Sequence, residues 1–221
     1  MKLLTDGARN PKTAKSTGYG YLTGILHLAP HIQSGYQVCP SATEGCSTAC
    51  LYFQGRGSMD SVQEARIRKT RMFFENRAGF MADLAKDIAS IVRRAQKNNL
   101  KPCVRLNGTS DIRWERTGIM EQFPSVTFYD YTKEKNRKRL PKNYSLTFSR
   151  SEKTTSDEWC KAIDDGMNVA VVFRDTLPKQ WLGVPVIDGT THDLRFLDPK
   201  PCIVGLIAKG SAKKDTSGFV V

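Results

Sequence analysis

Seven short apolar runs punctuate the chain: Tyr21 to Leu28, Cys103 to Leu106, Val126 to Tyr129, Tyr144 to Phe148, Val169 to Phe173, Pro185 to Ile187 and Ile203 to Ala208. Val169 to Phe173, Pro185 to Ile187 and Ile203 to Ala208 are apolar at every position instead of every second one, as strands covered on both faces of a parallel sheet are. Between them the period lengthens to that of a helix. Phe80, Leu84, Ile88, Ile91, Val92 and Ala95 form one helical stripe that ends near Asn98 and Asn99. Ahead of it, Ser61 and Glu64 are spaced as a capping box at the head of a helix running through Arg77. Residues 113–122 and 156–165 are further helical candidates. Strands alternating with helices predict an α/β fold, a parallel-stranded partial (β/α) barrel of about six or seven strands with a cysteine-rich loop after the first. Residues 1–16, polar and broken by Gly and Pro, are expected as an extended lead-in to one α/β domain over residues 1–221.

In such folds functional groups collect beyond the carboxyl ends of the strands. The first run leads into the cysteines. The second gives Arg105, Asn107, Gly108, Thr109, Ser110 and Asp111, and the third gives Asp130 and Lys133. Later runs give Arg150, then Arg174, then Asp188 with His192, Asp193 and Arg195, and finally Lys209. Amino ends carry Lys101-Pro102, Pro124, Asn143, Gly166, Gly183 and Lys200-Pro201, which is turn chemistry. Any one strand must exit into polar loop, but the asymmetry over seven predicts one polar site at one rim.

The cysteine loop gives that rim its chemistry. Six residues separate Cys39 from Cys46 and three separate Cys46 from Cys50, all within a small, polar segment. Three thiolates form an incomplete shell, which suits an iron–sulfur cluster with one open iron better than a closed structural zinc site. Zinc completed by His27 or His31 stays open as an alternative. The start, Met1 to Gly7, lacks the apolar core of a signal peptide, so a cytoplasmic protein with reduced thiols is expected. Cys103, Cys160 and Cys202 are expected to be buried and structural.

Composition changes the picture in one respect. A chain of 221 residues, 39% hydrophobic and 25% charged, with no run approaching a membrane span, is expected to be soluble. Its net charge of +12 points to an anionic partner, a small molecule or nucleic acid. Basic clusters lie at Arg66, Arg68, Lys69 and Arg71; at Arg93, Arg94 and Lys97; and at Lys133, Lys135, Arg137, Lys138, Arg139 and Lys142. Each reads either as a solvated face or as a phosphate-binding surface.

The segments Cys39–Cys50, Arg105–Asp111, Phe128–Lys133 and Gly183–Arg195 resemble a family of bacteriophage-encoded proteins, over nearly the whole chain. That resemblance implies a phage protein in the host cytoplasm and brings no particular chemistry with it. More remotely, the architecture resembles radical S-adenosylmethionine enzymes, partial barrels in which a three-cysteine loop after the first strand holds a [4Fe–4S] cluster. There the unique iron binds the amine and carboxylate of S-adenosylmethionine. The spacing here departs from the C-x₃-C-x₂-C of that superfamily, and Ala49 stands before the last cysteine where an aromatic residue is usual. The resemblance implies Cys39, Cys46 and Cys50 as metal ligands, an electron donor from the host, and Asn107, Gly108, Thr109, Ser110 and Asp111 beside the methionyl amine.

Such chemistry asks for specific partners. Asp111 is the candidate anchor for an ammonium, Arg105, Arg150 or Arg174 for a carboxylate, and Asp130 or Asp188 for ribose hydroxyls. Asp111, Asp130, Lys133 and His192 are the candidate catalytic groups. His192, next to Asp193, reads either as a hydrogen-bonded loop residue or as a fourth ligand or acid–base group. The expected function is an iron–sulfur protein, radical-type if an enzyme, acting on an anionic or nucleic-acid substrate. The alternative is a non-catalytic iron–sulfur or zinc protein that binds nucleic acid or a host partner.

Overall fold

Each of the seven apolar runs forms a strand in the computed structural model, which describes residues 1–6 and 14–221. The strands are β1 (Leu4–Asp6), β2 (Tyr21–Leu26), β3 (Lys101–Arg105), β4 (Thr127–Thr132), β5 (Tyr144–Ser149), β6 (Asn168–Phe173), β7 (Gln180–Trp181), β8 (Val184–Asp188) and β9 (Ile203–Ile207). The helices are α1 (Glu44–Thr48), α2 (Asp60–Glu75), α3 (Arg77–Lys97) and α4 (Ser156–Asp164). One sheet takes the order β1-β2-β3-β4-β5-β6-β9-β8-β7, and every pairing from β2 to β8 is parallel. Short antiparallel strands, β1 and β7, form its two edges, and the sheet is not closed. Consecutive strands from β2 to β6 are neighbours, so right-handed crossovers return on the same face each time.

That face is packed by α3. Its stripe Phe80, Leu84, Ile88, Ile91 and Ala95 is buried against Val104, Phe128 and Leu146 from β3, β4 and β5. The opposite face is covered by a tight turn at Arg195–Leu197: Leu194 and Phe196 pack on Tyr21, Cys103 and Tyr129 near the amino ends of the strands. No helix among the described residues is long and apolar enough to cross a membrane.

Several expectations are corrected. Residues 113–122 hold only one tight turn, Trp114–Arg116, because Gly118 takes a left-handed φ of 72° and Trp114 is drawn into the core. Ser61 does not cap α2, which begins at Asp60 after a Met59 with no side-chain acceptor. The two helices expected through Lys97 are both present, divided at Asn76, whose Oδ1 accepts the Gly79 amide at 3.0 Å and caps α3. In the lead-in, Leu3 and Leu4 are buried and β1 pairs with β2, while residues 7–13 lie outside the described residues. Cys103 and Cys202 are buried as expected; Cys160 is exposed on α4.

Candidate metal centre at the strand-end rim

After β2 the chain runs across the carboxyl ends of the parallel strands, and those ends grip the cysteine loop one after another. Beyond β3, the Asp111 amide donates to the Val38 carbonyl at 2.8 Å, and the Cys39 thiol lies 3.8 Å from the Thr109 carbonyl it donates to. Beyond β5, Glu152 takes the Gly45 amide at 2.9 Å and the Thr43 hydroxyl at 2.8 Å. Thr43 in turn caps α1, its oxygen accepting the Cys46 amide. Beyond β9, the Ser211 hydroxyl donates to the Thr48 carbonyl at 2.9 Å. The C-terminal segment closes underneath, where Phe219 and Val220 pack with Cys46 and Ala49.

Gly45 shows how tight this contact is. A Cβ there would sit 2.3 Å from Ser217 Oγ and 2.6 Å from Phe219 Cβ. Gly45→Ala is therefore expected to cost about 1–3 kcal/mol by overpacking. Faster amide exchange at Val220 and Val221, whose segment pairs with β6 at Val172, would report the loosened C-terminus; unchanged exchange would show that the segment does not bear on α1.

Cys39, Cys46 and Cys50 are all free and half-buried. Burial pushes the Cys39 thiol up to about 12, helped by Cys50, Cys46 and Asp111. Burial also raises Cys46 and Cys50, and Cys46 adds to the shift at Cys50. The three sulfurs thus share one electrostatic environment. Two cations face it: Lys133 pulls the Cys46 pKa down, and Arg66 does the same at Cys50. Arg66 stands over the Tyr52 ring, 5.5 Å from its centre, with a buried Nη1 that has no hydrogen-bond partner. Among the described residues, however, no three His, Cys, Asp or Glu side chains are gathered closely enough to hold a metal ion. The donor type and the flanking charge fit a thiolate-bound metal; the sulfurs approach one another without yet forming a ligand shell.

The expected cofactor residues are occupied by the protein itself. Asn107 Oδ1 accepts from Ser110 Oγ, the Ile112 amide and Trp114 Nε1, and its Nδ2 donates to the Ile112 carbonyl. Gly108 lies where a Cβ would meet the Leu26 carbonyl at 2.6 Å, and Thr109 Oγ1 donates to the Leu28 carbonyl. Asp111 takes the Lys133 amide at 2.7 Å and faces Arg137 at 3.4 Å; burial still raises its pKa. Arg105 pairs with Asp193 at 3.0 Å, and although burial opposes its charge, Asp193 holds it firmly protonated. Arg150 donates to the Gly218 and Phe219 carbonyls, and Arg174 to those of Lys213 and Asp215. Lys133 Nζ donates to Ser149 Oγ at 2.7 Å and to the Ser149 and Arg150 carbonyls.

Three residues are placed apart from the cysteine loop. Asp130 is fully buried on the helix face, accepting from the Asn107 amide and the Tyr144 hydroxyl. Asp188 pairs with Gly205 in the middle of β9, and its carboxylate accepts from Thr190. His192 packs edge-on against Tyr19, ring centres 4.6 Å apart, immediately before β2 and so at the opposite end of the strands from the cysteines.

Sequence reasoning missed Glu152, which docks the loop, and a cleft of about 440 Å³ beside it, and it set Arg66 in a basic cluster with no tie to the cysteines. The cleft is lined by Ser41, Ala42 and Thr43 together with Arg113, Lys133 to Lys135, Ser151, Lys153, Thr154 and Glu158. Glu152 could have been noticed as an acid set among strand-end cations; the basic cluster that holds Arg66 gives no sign that it faces Cys50. No curated protein and no solved structure matches the chain. Over residues 2–221 it matches the family model described as gene product 88, and the chain belongs to that phage-type family.

Proposed function

We propose that Cys39, Cys46 and Cys50 bind an iron–sulfur cluster of the [4Fe–4S] type, leaving one iron without a protein thiolate. The supporting observation is the placement of three reduced thiols from one loop in a single environment, with Lys133 and Arg66 beside them to balance thiolate charge. Binding has to draw the sulfurs together and remove their protons. Because the thiol pKa values are raised, loading is expected to release protons and to weaken as pH falls. When bound, such a centre supplies one-electron chemistry and an open coordination position. S-adenosylmethionine is the proposed ligand of that position in the catalytic form of this reading, with reduction by a host electron donor.

A second reading, a cluster that serves structure and partner binding alone, is favoured by one observation. Asn107, Asp111, Arg105, Arg150 and Arg174 are committed to internal hydrogen bonds and ion pairs, which leaves the sulfonium cofactor without its expected anchors.

Anaerobic reconstitution with iron and sulfide tests both readings. A brown protein is expected, with iron and sulfide in cluster ratio, lost in Cys39→Ser, Cys46→Ser and Cys50→Ser and kept in Cys160→Ser. Colourless protein, or iron retained by all three serine variants, would remove the cluster. Release of 5′-deoxyadenosine on reduction with S-adenosylmethionine marks the enzyme; its absence from fully loaded protein marks the structural centre.

A further inference from the structure

We infer that the cleft beside the cysteine loop binds a small molecule through its phosphate or carboxylate group. Its volume of about 440 Å³ lies within the range of small-ligand sites. Four cations line it, Arg113, Lys133, Lys135 and Lys153, against two carboxylates, Glu134 and Glu158. Both carboxylates are already matched, Glu134 by Arg113 and Glu158 by Lys135.

The remaining donors are well defined. Arg113 gives only Nε to Glu134 and keeps both terminal nitrogens, the part of a guanidinium that grips an oxyanion in two places. Lys153 is exposed and makes no ion pair or side-chain hydrogen bond with a described residue. Lys133 has already donated to three oxygens, so it contributes positive field and no further hydrogen bond. Ser41 and Ser151 add hydroxyls to the lining, that of Ser151 lying 3.3 Å from Thr154 Oγ1.

An extended nucleic-acid track fits less well, because half of the long basic run is spent. Arg137 is buried and paired with Glu115, Lys135 is paired, and Lys133 is tethered, which leaves Lys138, Arg139 and Lys142 exposed. On α2, Lys69 and Arg71 donate to the Leu3 and Ser34 carbonyls, and Arg68 pairs with Glu64. The cleft, by contrast, touches the cysteine loop directly. Thr43 lines it and caps the helix bearing Cys46, and Lys133 lines it and acts on the Cys46 thiol.

The assignment deepens the proposed function by naming the ligand class of the same site, yet the cleft and its charge stand without any metal. The test is therefore made on the metal-free full chain. Calorimetric titration with inorganic pyrophosphate, and separately with citrate, is expected to show saturable binding of at least one, the stronger probe identifying phosphate or carboxylate as the preferred group. Lys153→Glu and Arg113→Gln should each weaken it about tenfold, the scale of one lost charge-assisted hydrogen bond. Lys97→Glu, at the exposed end of α3, should leave it unchanged. No saturable binding of either probe at low ionic strength, or an equal loss in Lys97→Glu, overturns the inference. Failure of the cluster reading would appear separately, as missing iron in reconstituted protein.

Discussion

Asn107→Ala is expected to destabilise the protein by about 3–5 kcal/mol, because it strands several buried polar groups that each cost about 1–3 kcal/mol when unpaired. The side chain is 2% exposed and holds the turn after β3 closed, through Ser110 Oγ at 2.8 Å, both polar groups of the Ile112 backbone at 2.9 Å and Trp114 Nε1 at 3.0 Å. Trp114 is fully buried against Phe73 and Phe80, so its indole N–H cannot turn to solvent when the acceptor is lost. The same turn presents the Thr109 carbonyl to Cys39 and the Asp111 amide to Val38. Loosening it should therefore also reduce iron retention. Ser110→Ala removes a single bond and provides the scale, about 1 kcal/mol. If urea midpoints show Asn107→Ala no worse than Ser110→Ala, Asn107 is not the hub of this turn.

The parallel sheet was legible because burial on both faces leaves a mark that does not depend on distant partners. Val169–Phe173 and Ile203–Ile207 are apolar at every position and lie side by side as interior strands of the sheet. The edges escaped notice for the opposite reason. β1 has three residues and β7 two, too few for a period to show. Around Trp114, the apolar residues Ile119 and Met120 imitate a helical stripe, and only the backbone at Gly118 decides against it.

At the rim, the positions of Arg105, Asp111, Arg150 and Arg174 were readable, those of Asp130, Asp188 and His192 were not, and engagement was readable for none of them. Cysteines spaced within one loop announce a shared site, and the strand ends do hold that loop. What a strand-end Arg or Asp actually does depends on residues far along the chain: Arg105 on Asp193, Arg150 on Gly218, Arg174 on Lys213. No local pattern encodes those pairings. They turned a row of supposed ligand-binding groups into the framework that fixes the rim. The groups left with donors to spare, Arg113 and Lys153, lie just outside the strand-end positions first considered.

Asp130→Asn is expected to change the shape of the stability profile against pH. Burial lifts the Asp130 carboxyl from its ordinary 3.8 to about 7, outweighing the opposing pull of Arg105, the Asn107 amide, Tyr144 and Arg137. Between those two values the folded protein keeps a proton that the unfolded chain has released, so stability falls as pH rises through this window and levels off above it. The full effect is at most about 4 kcal/mol, at 1.36 kcal/mol per pH unit. His27 works in the other direction. Burial first, then Arg66 and Arg105, lower its pKa from 6.5 to about 3, so folding excludes a proton that the unfolded chain binds, and stability rises with pH up to 6.5. In the native protein the two slopes oppose each other from about pH 4 to 6.5, and the fall from Asp130 alone remains between 6.5 and 7. Asparagine keeps an acceptor for the Asn107 amide while removing the titration, so the variant should gain stability steadily up to pH 6.5 and hold it above 7, where it exceeds the native protein. Urea midpoints collected across that range decide the point: parallel curves for the two proteins would mean that Asp130 is ionised in the folded state and that its neighbours, not burial, set its charge.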